Sequence, residues 1–429
     1  MIVVLFGLLF LLIGFGFSIW SAMGISGVIY ILLRGDVSLR IVASQMVGGI
    51  DSTTLVAIPF FIFVGNLMNR SGITRKLADF ADFFVGRFRG GLAYVSIVVS
   101  VIMAGVSGSA VADASSVSAV LHPIMRQRGY DDTFSASINA SSAVIGPIFP
   151  PSIPMIFIGV ITGLSIGRLF LGGVIPGLLM AAFLWVVSAV ESGRRKYPRV
   201  EAQFNLRRFF AVLKDTALAI LAPAFVLAGV IFGFVTLVEV AALAILYVLF
   251  LSLVVYRTIS VKKLFEAFVE TAVFSSSIMI IFAVVGLYQY IVASEQLGRQ
   301  LLYLVESLHM GKNIFLLFSM IFFLLMGCVL DAVPVMLIFF PVLLPIAISL
   351  GIDPTHFGVI VVLNLMIGLL TPPIGALLFI QTKIANLPFN TLIRAIWPYT
   401  LALIGVLILV TYVPSLILWI PNLVFGVGG

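Results

Sequence analysis

Apolar residues run on for a dozen positions or more along most of this chain, and polar residues gather in short clusters between the runs. Ile2 to Leu33 is apolar throughout, with Gly14, Gly16, Gly24 and Gly27 inside it. At about 1.5 Å of rise per residue the stretch is long for one membrane crossing, so it reads either as one tilted helix or as two short ones. Asp36 to Gln45 is amphipathic and predicts an interfacial helix. Leu55 to Met68 predicts a span carrying Pro59, and Thr74 to Phe88, too charged to cross, predicts an amphipathic arm. Gly91 to Met125 is apolar at both ends and interrupted by Met103-Ala-Gly-Val-Ser-Gly-Ser-Ala-Val-Ala-Asp113. Beyond a polar loop, residues 133–163 are broken by Gly146-Pro-Ile-Phe-Pro-Pro-Ser-Ile-Pro154, where the prolines remove backbone donors and disfavour helix before them. Leu169 to Val190 predicts an ordinary span, as do 217–234 and 235–255.

The pattern then returns. Ser260 to Glu270 is amphipathic, Ala272 to Val292 predicts a span, and Gln296 to Leu308 a second charged arm. Asn313 to Leu350 is apolar around Met326-Gly-Cys-Val-Leu-Asp-Ala-Val-Pro334, and the next apolar segment is broken by Gly368-Leu-Leu-Thr-Pro-Pro-Ile-Gly375. Asp113 pairs with Asp331 and Pro123 with Pro341 at a separation of 218; Gly146, Pro150 and Pro151 pair with Gly368, Pro372 and Pro373 at 222, as does Pro176 with Pro398; Arg75 pairs with Arg299 at 224. Matched features in one order, with drifts that fall in loops, predict an internal repeat. The expected layout is an N-terminal membrane helix or helices at 1–35 and a first repeat at 36–198, with its arm, a hairpin at 91–125 and a broken helix at 133–163. A basic loop with linking helices (199–257) follows. The second repeat (258–429) holds an arm, a hairpin at 313–350, a broken helix at 356–385 and a last span from about Arg394 to Leu416. If 91–125 re-enters without crossing, five spans separate the two amphipathic starts and the repeats are inverted.

Composition fixes the class. Of 429 residues, 62% are hydrophobic and 10% charged, which no soluble domain of this size matches; the fold class is an all-α polytopic membrane protein. The formal charge of +7 sits largely in short loops, above all in Glu191–Asp215, where it sets a cytoplasmic side and is no sign of nucleic-acid binding. One cysteine excludes an internal disulfide framework, and three scattered histidines lack metal-site spacing. The N-terminus has no basic region or cleavage signal and reads as a retained membrane helix. No P-loop is present, so ATP is not the energy source.

An Asp at membrane depth is a functional candidate. Glycines and serines breaking an apolar helix imply backbone that lines protein or a cavity. Taken alone, Met103–Asp113 is equally the tip of a re-entrant ion or solute site and a close helix crossing built on the small residues Gly105 and Ser109. The matched tip at Met326–Pro334 favours a two-fold site, since inverted repeats with broken helices are the layout of secondary transporters.

The stretches AGVSGSAVADASSVSAV, RGYDDTFSASINASSAVIGPIFPPSIP and GLLTPPIGALLF resemble the large membrane subunit (M, or DctM-like) of TRAP transporters, the tripartite ATP-independent periplasmic transporters. The resemblance covers essentially the whole chain. It implies an inverted-repeat, elevator-type fold with two re-entrant hairpins and two broken helices, in the bacterial inner membrane. It also implies Na⁺-coupled uptake of an organic acid, a C4-dicarboxylate or sialic acid among others, delivered by a periplasmic substrate-binding protein. A small four-helix membrane subunit is expected as a separate chain. H⁺ coupling, a channel and an intramembrane enzyme built on Asp113 and Asp331 are the alternatives; polarity concentrated at two tips, with no further acid–base group beside either Asp, argues for a transporter and not an enzyme.

Helix ends at each tip offer carbonyls suited to Na⁺ and N–H groups suited to a carboxylate. One Na⁺ site is expected among Ser107, Gly108 and Ser109 with Gly146 and Pro150. A second is expected among Gly327, Cys328, Gly368, Thr371 and Pro372. Asp113 and Asp331 either ligate or cap their half-helices. For the substrate, Ser109, Asn139, Ser141, Ser142 and Ser152 are the candidates, against the plainer role of serines bonding back to their own helix.

Overall fold

A computed structural model describes residues 2–197, 199, 206–232 and 235–426. Residues 200–205, in the middle of the basic 191–215 stretch, lie outside the described residues. The described residues are helical with no strand, and seven helices among them are long and apolar enough to cross a membrane.

The N-terminal ambiguity resolves as two helices, α1 (Ile2–Gly14) and α2 (Ile19–Arg34), parted at Gly16 with its positive φ. α3 (Arg40–Ile50) and a 3₁₀ turn lead into α4 (Ala57–Arg70), and α5 (Ile73–Val85) is the first amphipathic arm. α6 (Gly91–Ser107) and α7 (Ala110–Gln127) meet at Gly108 and Ser109. Gly108 takes the left-handed conformation at φ 55°, and the Ser109 side chain caps the Ala112 N–H, so the two residues stop one helix and start the next. α8 (Asp132–Ala143) ends where the proline run begins, and α9 (Ile153–Thr162) restarts on the Ser152 cap. α10 (Ile166–Arg194), α11 (Leu206–Phe232) and α12 (Leu237–Phe250) complete the first half, with α11 starting inside the stretch read as a polar loop.

In the second half α13 (Val261–Ser294) is one continuous helix, where an interfacial segment and a separate span were expected. No glycine or proline divides it before Gly286, so nothing stops the helix at the amphipathic boundary. α14 (Leu297–Ser307) is the second arm, and α15 (Lys312–Val329) and α16 (Ala332–Ser349) form the second interrupted pair. α17 (Pro354–Gly368) and α18 (Ala376–Ala385) flank the second proline break. α19 (Phe389–Tyr412) is the last long helix, and helix α20 (Ser415–Phe425) follows it.

Helix boundaries correct the repeat register. α6 and α15 end at Ser107 and Val329, α7 and α16 begin at Ala110 and Ala332, and these two end at Gln127 and Ser349, each pair 222 apart. Asp331 therefore corresponds to Ser109, both N-caps, and Pro123 to Pro345. The 218 pairing of Asp113 with Asp331 was one helical turn out, a slip that leaves the buried face unchanged and so hides in the hydrophobic pattern.

The halves are interlocked. α7 packs on α18 and α16 on α9, while α8 meets α19 and α10 meets α17. Against these helices stands a frame of α3, α4, α12 and α13, whose tightest crossing brings Gly49 of α3 onto the backbone of α13 beside Gly286. A Cβ on Gly49 would stand 2.5 Å from the Phe282 carbonyl oxygen, so this approach requires glycine.

Candidate functional site

Each interrupted pair points its tip at the proline break of its own half. A Cβ on Gly108 would lie 2.9 Å from the Pro151 carbonyl oxygen and 3.0 Å from the Ile153 nitrogen. In the second half Gly327 and Gly368 touch backbone to backbone, and the Ile374 N–H donates to the Cys328 carbonyl at 3.3 Å. Two glycine-lined backbone contacts thus join hairpin and break in both halves.

Asp113 lies one turn inside α7, fully buried. The Ser107 hydroxyl donates to Oδ1, while Oδ2 has no hydrogen-bond partner among the described residues. Oδ2 faces Gly146, where a Cβ would stand only 2.3 Å away. A buried carboxylate oxygen without a partner is expensive. Around it lie Ser107 at the end of α6, whose last carbonyls have no helix partner, and the break at Gly146–Pro150. This oxygen-only set suits a hard cation held by a carboxylate, hydroxyl and carbonyls. The described residues hold no group of three or more His, Cys, Asp or Glu arranged for a transition metal.

The second half is not its copy. Asp331 caps α16 by accepting from the Val333 N–H at 3.2 Å, and its side chain is exposed. The Cys328 thiol donates to Leu324 O, and the Thr371 hydroxyl donates to Ile367 O at 2.9 Å, keeping its lone pairs. Gly327, Gly368 and Thr371 are brought together with the residues before Pro372; Asp331 acts there as a cap.

A cavity of about 490 Å³ opens between the frame and the first hairpin. Its hairpin wall is Ser107, Ser109, Ala112, Ser115 and Ser116; its frame wall is Asn66, Asn69, Arg70 and Glu270, with Thr74 at the start of the arm. The α4–α13 contact that forms the frame wall is pinned by the Asn66 amide donating to Thr271 at 2.9 Å and by ion pairs from Arg70 to Glu266 at 2.6 Å and Glu270 at 2.9 Å.

Of the substrate candidates, Ser109 lines this cavity. The others do not. Asn139 and Ser142 are fully buried between α8 and α6: the Ser96 hydroxyl donates to Asn139 Oδ1 at 2.7 Å, and Ser96 and Ser100 each lie 3.0 Å from Ser142 Oγ. Ser141 is fully buried as well, and Ser152 caps α9 by accepting from the Met155 N–H at 3.2 Å. Asn139 and Ser142 thus cement the hairpin to the broken helix. Sequence reading passed over Asn66, Asn69, Arg70, Ser115, Ser116 and Glu270. The usable signal was there in part: Asn66, Asn69 and Arg70 recur at three- and four-residue spacing on an otherwise apolar helix, as do Ser109, Ala112, Ser115 and Ser116 on α7.

Comparison with known proteins gives one consistent picture. Residues 6–416 match the family profile described as "Tripartite ATP-independent periplasmic transporter, DctM component". The chain is 38% identical to the sialic acid TRAP transporter large permease protein SiaM of Vibrio cholerae, over 98% of both chains. It is 35% identical to the C4-dicarboxylate TRAP transporter large permease protein DctM of Pseudomonas aeruginosa, over 94% of both. Among solved structures, the Alcanivorax borkumensis YdaH transporter, a protein of "unusual topology", aligns with a TM-score of 0.65 over 88% of both chains at 14% identity, a likeness of fold alone.

Proposed function

The chain belongs to the DctM family, the large permease of tripartite ATP-independent periplasmic transporters, and from that premise we propose that it carries an organic acid inward across the bacterial inner membrane, coupled to Na⁺, by an elevator movement. The acid is handed over by a periplasmic binding protein, and a small four-helix membrane subunit completes the complex. The observation that carries the reading is the adjacency of two features at one tip. Ser107 both donates to the Asp113 carboxylate and lines the 490 Å³ cavity.

The roles divide at that tip. Asp113, the backbone at Ser107 and Gly108, and the break at Gly146 and Pro150 would hold the first Na⁺. Gly327, Cys328, Gly368, Thr371 and Pro372 would hold a second. A bound cation supplies the positive charge that lets an acid and a buried carboxylate share the site. On the cavity side, the Val111 N–H in the first turn of α7 precedes any intrahelical acceptor, and the helix dipole favours a carboxylate there. Ser109, Ser115 and Ser116 extend a hydroxylated wall along the same helix. The interlocking of α7 with α18 and of α16 with α9 supports movement of both hairpins as one unit against the α3–α4–α12–α13 frame. Gln381 of α18 ties the unit from within, donating to the Ala114 carbonyl at 3.2 Å and to Ser118 Oγ at 2.7 Å.

Reconstitution of the complex in proteoliposomes tests this reading. Uptake of the delivered acid that depends on an inward Na⁺ gradient and on the soluble binding protein supports it. Uptake driven by a proton gradient alone replaces the coupling ion, and flux that ignores both gradients and the binding protein overturns the transporter mechanism.

A further inference from the structure

We propose that a second cavity, the repeat mate of the first, holds an acyl chain of an outer-leaflet phospholipid whose phosphate rests on Arg299. This cavity has a volume of about 310 Å³ and lies between α16, the end of α13 and the start of the arm α14. At the separation of 222, Leu337, Ile338, Pro341 and Val342 of its wall correspond to Ser115, Ser116, Ala119 and Val120 of the first cavity. α4 and α13 end at Arg70 and Ser294, 224 apart, so Asn69 and Thr74 of the first cavity correspond to Ala293 and Gly298 of the second. Phe274 lines the first cavity and Tyr288 the second, and 14 residues of α13 (288 minus 274) separate them by about 21 Å. The start of α13, with Lys262 and Lys263, belongs to the cytoplasmic side, so the second cavity lies at the depth of the outer leaflet.

The repeat keeps the place and inverts the chemistry. Serine, asparagine and threonine of the first wall are leucine, isoleucine, alanine and glycine in the second. Its polar members are Tyr288, Gln289 and Gln296, and the Tyr288 hydroxyl is engaged with Ser26 at 2.5 Å. Buried water needs about two to four polar partners, which such a wall does not supply, whereas apolar matter fits it; the volume is about twice the roughly 150 Å³ that takes up a benzene ring in an apolar core. Lipid is at hand. Tyr303, Leu304 and Leu308 are exposed along the arm, so α14 lies in the membrane surface, and exposed Ala293, Gln296 and Pro345 leave the cavity open beside it. The charge at this opening suits a phosphate. Arg299 is exposed, its Nη1 donates to Gln296 Oε1 at 3.5 Å, and it has no ion pair among the described residues. The nearby Glu295 is taken up by the Tyr30 hydroxyl and by Arg34 at 3.3 Å. A guanidinium fork matches phosphate oxygens, and basic side chains at this depth attract lipid headgroups. Because α16 belongs to the unit proposed to move and α13 to the frame, a chain lodged between them slows the movement; this braking rests on the transporter reading, and the lipid site does not.

The test places the full chain with its membrane partner in bilayers of phosphatidylethanolamine and phosphatidylglycerol doped with a phospholipid that carries a photoactivatable diazirine in its acyl chain. After illumination, peptide mass spectrometry is expected to find adducts on Tyr288 and Leu337, buried residues that a chain reaches only from within the cavity. Ile338→Trp, which fills the cavity, should abolish those adducts while labelling of the exposed Leu246 and Phe250 on α12 persists. Arg299→Gln, on the exposed surface, should lower them by about fivefold, the share of one basic side chain in headgroup attraction, and should raise the uptake rate at saturating Na⁺ and acid without changing the half-saturating acid concentration. No adduct on Tyr288 or Leu337 in the wild type, or equal labelling in Arg299→Gln, overturns the lipid site. Lost adducts with an unchanged uptake rate overturn the braking role alone. Should Ile338→Trp fail to assemble, the wild type and Arg299→Gln decide. A wild type that is labelled as expected but takes up no acid overturns the transporter reading and leaves the lipid site standing.

Discussion

Gly146→Ala is the sharpest probe of the ion site, because the structure fixes what the added methyl group meets. The new Cβ would lie 2.3 Å from Asp113 Oδ2 and 3.2 Å from the Ala143 carbonyl oxygen, while ordinary contact begins at 3.4 Å. The carboxylate or the break must therefore move by about 1.1 Å (3.4 minus 2.3). Asp113 is fully buried and tied to Ser107, so the shift falls on the ligand set itself. Overpacking of this kind costs about 1–3 kcal/mol, and metal–ligand distances tolerate only about 0.2 Å. The half-saturating Na⁺ concentration for uptake should rise by about tenfold or more, with the apparent affinity for the acid at saturating Na⁺ changed far less. Uptake in proteoliposomes titrated with Na⁺, together with Na⁺-induced thermal stabilisation in detergent, reads both quantities. Gly48→Ala, where a methyl group meets nothing within 4 Å, controls for helix propensity. An unchanged Na⁺ dependence in a folded Gly146→Ala protein would refute the placement of the ion beside Asp113 and Gly146.

Other substitutions separate cement from site. Asn139→Ala removes the acceptor of the Ser96 hydroxyl in a fully buried network, leaving it Ser142 Oγ at 3.0 Å, and should lower stability by about 1 kcal/mol while leaving the affinity for the acid unchanged; a selective loss of acid affinity would instead make Asn139 a substrate ligand. In the polar loop, the Tyr197 hydroxyl at 2.7 Å and the Arg195 guanidinium at 2.8 Å hold the Asp131 carboxyl below its ordinary value of 3.8. A depressed carboxylate contributes stability above its unfolded pKa and loses it as pH falls through the folded value. The melting-temperature deficit of Asp131→Asn should therefore be full at neutral pH and shrink as pH drops below about 4, and a deficit independent of pH would show that the ion pair contributes nothing.

The elements were legible where the sequence states them twice. Membrane helices follow from apolar length, and both hairpin tips and both proline breaks follow from Gly, Ser and Pro placed where a helix cannot continue. The register between the halves slipped by one turn, because a four-residue shift keeps a helix face and Pro341 and Pro345 both offer a match for Pro123. The cavity's frame wall was not legible. Arg70 and Glu270 are 200 residues apart and meet only because α4 packs against α13, so each alone looks like a topology-setting charge. The buried network at Asn139 was illegible for the opposite reason. Its polar residues form a conspicuous cluster in the sequence, yet Ser96 and Ser100, which bond to Asn139 and Ser142, sit 40 residues and more away on α6.

Acid-driven ²²Na⁺ entry into proteoliposomes holding the complete complex bears most directly on the central claim, that Asp113 and the first hairpin tip couple Na⁺ to movement of the acid. Adding the delivered acid should drive ²²Na⁺ inward with the wild-type chain and not with Asp113→Asn, although the variant keeps its shape and assembles. Acid uptake without ²²Na⁺ entry in the wild type, or undiminished ²²Na⁺ entry with Asp113→Asn, would contradict it.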